Sequence, residues 1–361
     1  MRRLTILIAL VALAAACGST VAETEPPEAP NAGELFVARP AGTSGPLTAY
    51  DGHSLGRRFE LPSGLAAANG SAYYAFSDGR LRRFDPVTGR RLHSYDVAGD
   101  WKLAAVSASG RWVALSRERG RIRVLDARTG EIAHDLSLEG DFLVETVSSA
   151  GDFLFLQQTF PDGRYAVRGY DLRAGRLIEG SLATKGQTVL MAGVATGTIA
   201  SPDGRWLLTV YVDTAKDTAF VHALNLADRL PICIDLPPCA DCDVDDLRGW
   251  GLTLSPDGRT LYAANPALGR VAEVHLPTAV VIHEVRFRPE PGRAETRSAI
   301  TADGSRVVFT NGKTVWSYDT HRAAARVVRT EAAGVADVAV SRDGERVLLA
   351  RPGREPVTLP L

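Results

Sequence analysis

A short turn that ends in glycine recurs seven times along this chain of 361 residues. Each glycine follows one apolar run and precedes another, as in residues 251–255 and 260–264, so each repeat begins with two strands joined by a tight turn. The spacings between successive turns are 40, 41, 53, 54, 46 and 40 residues, which is typical of repeat architectures. The glycines that close these turns are Gly70, Gly110, Gly151, Gly204, Gly258, Gly304 and Gly344.

A second kind of turn follows the third strand of each repeat. Residues 85–89 are Asp-Pro-Val-Thr-Gly, and residues 126–130 are Asp-Ala-Arg-Thr-Gly. The leading Asp bonds nearby backbone and the closing Gly accepts a left-handed conformation, so this turn chemistry is self-consistent. A fourth strand follows each such turn, and four antiparallel strands per repeat are a propeller blade. The sequence therefore predicts an all-β propeller over residues 34–361.

The phrase Ser-Pro-Asp-Gly-Arg occurs at residues 201–205 and again at 255–259, each time followed by an apolar strand. In this respect the chain resembles β-propellers of the YVTN type and WD-repeat-like propellers. The resemblance covers residues 34–361 and concerns architecture, because repeat residues pack blades and close turns whatever the protein does. The WD dipeptide and its upstream Gly-His are absent.

The closure of the ring has two solutions. Six whole blades are predicted at about 64–97, 103–138, 144–182, 193–236, 251–287 and 297–330, with three strands left near 34–61 and three near 336–361. We expect seven blades, with Arg57 to Leu61 completing the last one and residues 34–51 outside the sheet, because this exposes fewer sheet edges. The alternative is eight blades, of which two are incomplete.

Composition and charge bear on one class of partner, nucleic acid. Hydrophobic residues make up 45% and charged residues 23% of the chain, and the formal net charge is −1, which are ordinary globular values. The basic residues lie scattered along the sequence and form no stripe, so nucleic acid is not an expected partner.

The amino terminus carries an export signal. Arg2 and Arg3 precede an apolar stretch at residues 4–13, and three alanines lead to Cys17. This resembles a bacterial lipoprotein signal, which implies lipidation of Cys17, although Ala14 stands where that family prefers Leu. The alternative is an ordinary cleaved signal, cut near Ala16 or Ala22, and a secreted protein.

Three segments follow from this interpretation. Residues 1–16 are the lipoprotein-type signal peptide, residues 17–33 the lipidated Cys with an acidic, Pro-rich spacer, and residues 34–361 the propeller. The spacer composition cannot bury a core and stays extended. The expected location is extracytoplasmic, with the protein lipid-anchored to the outer surface of the cytoplasmic membrane.

One loop contains every cysteine that remains after Cys17. Cys233, Cys239 and Cys242 are disulfide candidates, because cysteines of an exported protein are usually oxidised. Three is an odd number, so one thiol is left over and the sequence does not choose the pair. A zinc site with a histidine such as His222 fits no common spacing.

The same loop is acidic. Asp241, Asp243 and Asp245 have the alternating spacing of a calcium loop, which makes them a weak calcium candidate. Asp246 replaces the glycine and Leu252 the bidentate glutamate that such a loop requires. An acidic, solvated loop is therefore expected, and no metal or other cofactor is predicted.

Blade topology places the two kinds of tight turn on one face of the ring and the longer loops on the other. Function is expected on the long-loop face. Aromatic and charged residues there can contact a peptide or glycan, although Trp101 and Trp250 can instead pack between blades. The candidate binding residues, mostly just before or at the beginning of first strands, are Trp101, Lys102, Lys185, Arg248, Trp250, Arg293, Glu295 and Arg297.

No catalytic constellation is evident. Residues 52–56 match the Gly-x-Ser-x-Gly nucleophile motif, but the required strand-to-helix context is missing. We therefore expect a non-enzymatic binding or scaffolding module whose partner is a protein, a peptide or a cell-envelope polymer. The alternative is a lactonase-like or quinoprotein-like propeller enzyme, with a metal or cofactor in the axial channel.

Overall fold

The structure is a computed structural model. It describes residues 35–38, 46–52, 54–118, 120–182, 184–185, 189–239, 242–290, 295–331, 334–341, 343–351 and 353–361, with the backbone alone at 35–38 and 184–185. Residues 1–32 and 33–361 form separate units, and every described residue lies in the second.

The described residues of that unit form nine antiparallel sheets, of which six have four strands, two have three and one is a two-stranded hairpin. The eight larger sheets are the blades. The first blade is β1 (Leu35–Ala38), β2 (Leu47–Asp51) and β3 (Arg57–Leu61). The second is β4 (Leu65–Ala66), β5 (Tyr73–Ser77), β6 (Arg80–Phe84) and β7 (Arg91–Asp96). The third is β8 (Lys102–Val106), β9 (Trp112–Arg117), β10 (Arg121–Asp126) and β11 (Glu131–Ser137).

The fourth blade is β12 (Asp141–Val147), β13 (Phe153–Thr159), β14 (Tyr165–Asp171) and β15 (Arg176–Leu177). A two-stranded hairpin follows, β16 (Gly180–Ser181) and β17 (Thr184–Lys185). The fifth blade is β18 (Val194–Ala200), β19 (Trp206–Asp213), β20 (Thr218–Asn225) and β21 (Leu230–Asp235), and a one-turn helix, α1 (Val244–Leu247), comes after it.

The sixth blade is β22 (Gly251–Leu254), β23 (Thr260–Asn265), β24 (Arg270–His275) and β25 (Val280–Arg286). The seventh is β26 (Arg297–Ile300), β27 (Arg306–Thr310), β28 (Thr314–Asp319) and β29 (Ala324–Thr330). The eighth is β30 (Asp337–Val340), β31 (Arg346–Ala350) and β32 (Val357–Pro360). In the part of the chain that the structure describes, no helix is long and apolar enough to cross a bilayer.

The predicted glycine turns are all present. In each of the seven, the glycine has a positive φ, between +67° and +75°. Its N–H donates to the carbonyl three residues earlier at 2.8 or 2.9 Å, as Gly258 does to Ser255. Because an L side chain rarely adopts this conformation, the recurring glycine is a requirement of the turn.

Neighbouring blades meet through their first strands. β4 lies against β8, β8 against β12, β18 against β22, and β22 against β26. The core lies between the blades and is formed by the second and third strands; β19, for example, is buried along its whole length. The fourth strands carry the exposed outer surface, as in β25. This confirms the all-β propeller.

The blade count corrects the expectation of seven. Arg57 to Leu61, the segment assigned to the last blade, pairs with β2 in a sheet of its own. β1, which was placed outside the sheet, pairs with the other edge of β2 and lies against β30. The ring therefore has eight blades, as in the alternative, and the first and last are the incomplete ones.

Hydrogen bonds link the tight turns of neighbouring blades. Ser71 Oγ donates to the carbonyl of Ser109 at 3.2 Å, and Ser109 Oγ donates to that of Ser149 at 3.3 Å. We call the side of the ring that carries these turns the turn face, and the opposite side the loop face.

Candidate functional site

A cavity of about 270 Å³ opens where the first strands of four consecutive blades meet. It is lined by residues 197–199 of the fifth blade, 250–252 of the sixth, 295–298 of the seventh and 337–338 of the eighth. First strands line the axis of a propeller, so this channel cavity is the concave site of the ring.

The wall between the sixth and seventh blades is held tightly. Thr296 Oγ1 donates to the carbonyl of Gly249 at 2.5 Å, and Ser298 Oγ donates to that of Leu252 at 2.9 Å. A Cβ on Gly251 would lie 2.5 Å from the carbonyl oxygen of Thr296, so only glycine permits this approach. This part of the wall is therefore closely packed, and it includes the start of β26 and the two residues before it, Glu295 and Thr296.

Charges of both signs face the cavity. Arg297 Nη2 pairs with Glu295 Oε2 at 2.9 Å, and the side chains are 19% and 42% exposed, respectively. Asp337 of the eighth blade lines the same space, and its Oδ1 accepts the N–H of Val338 at 3.0 Å. The site can therefore bind a polar group through one guanidinium and two carboxylates.

The two candidate tryptophans are mainly interior residues. Trp250 forms part of the cavity wall but is 2% exposed, and it packs in the apolar cluster between the fifth and sixth blades. Trp101 is 5% exposed; its Nε1 donates to the carbonyl of Ala98 at 3.1 Å, and the Arg123 guanidinium lies 4.4 Å from its ring. Inter-blade packing, the alternative considered for both residues, is what the structure shows.

The other candidates are spread around the ring. Lys102 is exposed at the start of β8, on the third blade. Arg248 follows α1 and pairs with Asp245 at 3.3 Å. The side chain of Lys185 and the whole of Arg293 lie outside the described residues. Of the eight candidates, the structure thus brings Trp250, Glu295 and Arg297 together.

The structure shows no disulfide among the three candidate cysteines. Cys233, Cys239 and Cys242 are all free thiols. The ladder holds Cys233 in β21 opposite His222, whereas Cys239 and Cys242 belong to the loop before α1. Within that loop, Cys242 Sγ donates to the carbonyl of Cys239 at 3.6 Å, so the thiol bonds to the backbone.

The described aspartates of this loop form hydrogen bonds and an ion pair at the ends of α1. Asp243 is its N-cap and accepts the N–H of Asp246 at 2.8 Å, while Asp246 accepts the N–H of Asp243 at 3.3 Å. Asp245 pairs with Arg248, and Asp241 lies outside the described residues. Among the described residues, no group of three His, Cys, Asp or Glu side chains is arranged to hold a metal.

The Gly-x-Ser-x-Gly match also lies in a turn. The backbone N–H and the hydroxyl of Ser54 both donate to Asp51 Oδ1, at 2.8 and 3.1 Å. His53 is outside the described residues. Ser54 is therefore used to close the connection between β2 and β3.

A polar cluster that was not predicted from the sequence lies between the fourth and fifth blades. Glu145 occupies a bulge in β12, and its Oε2 is buried with no hydrogen-bond partner among the described residues. The same is true of both ring nitrogens of His222, whose ring meets that of Tyr211 edge-on with centroids 5.9 Å apart. Tyr211 donates to Gln157 Oε1 at 3.1 Å, which joins the two blades.

Burial shifts the pKa of both ionisable groups in this cluster. It raises the pKa of Glu145 to about 7 and lowers that of His222 to about 4, since each charged form loses its hydration. The sequence signal for this cluster is a glutamate, Glu145, inside the apolar run of residues 142–147. The sequence does not show that its side chain is buried, because this depends on the bulge.

Comparisons with known proteins identify the fold. No family model matches the chain, and no curated protein matches it. Hydrazine synthase from Kuenenia stuttgartiensis is 13% identical, with a TM-score of 0.48, over 82% of this chain and 94% of that one. The dihydro-heme d1 dehydrogenase NirN is 18% identical, with a TM-score of 0.53, over 90% of this chain and 70% of that one. A chain of the mitotic checkpoint complex is 11% identical, with a TM-score of 0.50, over 99% of both chains. At these identities the similarity is one of fold, and the fold is a β-propeller.

Proposed function

We propose that this protein is an extracytoplasmic binding or scaffolding module whose channel cavity receives a polar segment of a protein, a peptide or an envelope polymer. The observation that carries the proposal is the convergence of Glu295, Arg297 and Asp337 on one cavity. Charged groups arranged around a cavity select a partner by the complementarity of its charges.

The backbone of the first strands supports the same proposal. β18, β22, β26 and β30 each pair with a second strand on one side only, within their sheets. An edge strand presents backbone N–H and C=O groups beyond its sheet, and an extended segment can bond to such an edge. An extended peptide or a glycan fits this surface better than a compact apolar ligand.

The test is photo-crosslinking on intact cells. The variant Glu295→Gln/Arg297→Gln removes the channel ion pair, and Arg270→Gln/Glu284→Gln, which removes another 2.9 Å pair on the sixth blade, is its matched control. A probe placed at Ser298 should recover a partner with the wild type and the control, and at least tenfold less with the channel variant. Equal recovery from all three would overturn the proposal.

An enzyme of the lactonase-like or quinoprotein-like class is the second candidate. Such a site needs three or more acidic, Asn or His side chains converging at the channel. Among the described residues that line the cavity, Glu295 and Asp337 are acidic, and none is His or Asn. Enzymes and components of protein assemblies share this fold. The residues that line the cavity are therefore better evidence for function than the fold is.

We further propose that the mature chain is anchored through a lipidated Cys17 on the outer surface of the cytoplasmic membrane. The residues that support this are Arg2, Arg3, the apolar stretch at 4–13 and the small residues before the cysteine. The variant Cys17→Ser should move the protein from the membrane fraction to the soluble fraction. Retention of this variant in the membrane fraction would show that the anchor is something else.

A further inference from the structure

A second cavity of about 270 Å³ lies on the turn face, between the second and third blades. It is lined by Arg83, Arg111 and Arg128, together with Ser109, Gly110, Ala127 and Ser149. We call it the arginine cavity. Three guanidinium groups around one small space repel one another unless negative charge is present.

One carboxylate is present, and it is already engaged. Asp126 Oδ2 accepts from Arg111 Nε at 3.0 Å and from Arg111 Nη2 at 2.6 Å. Its Oδ1 accepts the backbone N–H of Arg128 at 3.0 Å. Asp126 therefore neutralises Arg111 and fixes the turn that carries Arg128.

The other two guanidinium groups have no counter-ion. Neither Arg83 nor Arg128 forms an ion pair with a carboxylate of the described residues, and Arg83 Nε is buried without a hydrogen-bond partner. A buried, unsatisfied nitrogen of a charged group is costly, and a bound hydrogen-bond acceptor would remove that cost. The arginine cavity thus has a formal excess of two positive charges.

Two tyrosine hydroxyls join the second and third blades beside this cavity. The hydroxyl of Tyr74 donates to the carbonyl of Gly110 at 2.5 Å, and that of Tyr95 donates to the carbonyl of Ala127 at 2.7 Å. These two bonds tie the second blade to the two turns of the third that border the cavity.

The propeller repeat does not require an arginine at this position. Arg83 lies two residues before the Asp that begins the turn after the third strand. The corresponding residues in the third, fourth and seventh blades are uncharged: Val124, Gly169 and Ser317. The turn therefore forms without an arginine at this position, and closing the turn does not account for Arg83.

We infer that the arginine cavity binds a dianionic tetrahedral oxyanion, either sulfate or phosphate, free or carried on a larger molecule. Guanidinium groups donate to such oxyanions through paired N–H bonds, and the two unpaired arginines match two negative charges. The hydroxyls of Ser109 and Ser149 border the same space and provide neutral polar surface. This site is separate from the channel cavity and does not depend on the function proposed for it.

The test is a titration of the full-length chain with sodium sulfate and with sodium phosphate at pH 8, from micromolar to low millimolar concentration. Sodium chloride keeps the ionic strength constant, so that general salt effects are removed. Calorimetry should show saturable binding of both anions to the wild type. Arg83→Met should weaken binding at least tenfold and Arg128→Ser several-fold.

Arg80→Met is the matched control, since Arg80 is on the same strand as Arg83 but pairs with Asp96 at 2.8 Å, away from the cavity. It should bind as the wild type does. Equal binding by the wild type and both cavity variants would overturn the inference, as would equal binding of acetate. If Arg83→Met does not fold, the exposed residue Arg128 decides the question.

Discussion

Gly151 lies directly against the indole of Trp112, so that a Cβ built on the glycine would overlap the ring. Gly151 is in the turn between β12 and β13, and Trp112 begins β9 of the preceding blade. The turn glycines therefore do more than permit a positive φ: at this position, glycine also lets one blade approach the next.

Replacing Gly151 with Ala is expected to destabilise the protein by roughly 3 kcal/mol, from backbone strain together with overpacking. Gly258→Ala is the control, because Gly258 has a similar φ of +67° and nothing within 4 Å of the added Cβ. The control should cost on the order of 1 kcal/mol. Urea unfolding measures both, and equal losses would show that Trp112 can move aside.

The parts of the fold that could be predicted from the sequence are the turns and the strands between them, because short local patterns specify them. The glycine turns and the Asp-led turns are each specified by one or two residues. The backbone preferences of these residues do not depend on the rest of the chain. The number of blades, in contrast, depends on which distant strands pair with each other. Three strands at each end are compatible with one shared blade or with two, and the choice depends on the pairing of β1 with β2 and its contact with β30.

The channel cavity could be predicted in part. Glu295, Arg297 and Trp250 were identified because they lie at or just before first strands, and the same rule applied to the eighth blade would have identified Asp337. Glu145 could not be identified, because a bulge in β12 sets its direction and no residue in the sequence marks that bulge.

Glu145 and His222, in the cluster between the fourth and fifth blades, should make contributions to folding stability that change with pH in opposite directions. Between pH 4.5 and about 7, folded Glu145 holds a proton that the unfolded chain has lost, so its contribution to stability falls as pH rises. Between about 4 and 6.5, unfolded His222 holds a proton that the folded chain lacks, so its contribution rises with pH. Over the shared window the two effects offset each other.

Replacing either residue should leave the pH dependence of stability that the other residue contributes. Relative to the wild type, Glu145→Gln should gain stability as pH rises from 4.5 to 7, and His222→Phe should lose up to roughly 3 kcal/mol as pH rises from 4 to 6.5. Free energies of unfolding in urea at pH 4, 5, 6, 7 and 8 give both differences. Parallel curves for the wild type and both variants would contradict the assignment.

The two buried tryptophans should respond differently to replacement by Phe. Trp101→Phe loses the bond to the Ala98 carbonyl and weakens the contact with Arg123, at a cost of about 2 kcal/mol. Trp250→Phe loses no hydrogen bond, because Nε1 of Trp250 has no partner among the described residues, and should cost about 1 kcal/mol. A larger loss for Trp250→Phe in thermal unfolding would indicate that its N–H bonds to something in solution.

Two tyrosines bridge neighbouring blades to acceptors of different charge. Tyr318 donates to Glu273 Oε1 at 2.5 Å, whereas Tyr74 donates to the carbonyl of Gly110 at the same distance. Bonds to charged acceptors are stronger, so Tyr318→Phe should cost about 2 kcal/mol and Tyr74→Phe about 1 kcal/mol in urea unfolding. Glu273→Gln should bring the cost of Tyr318→Phe down to that of Tyr74→Phe, because the acceptor is then neutral. If the cost of Tyr318→Phe is unchanged in the Glu273→Gln background, the carboxylate is not the energetically important partner.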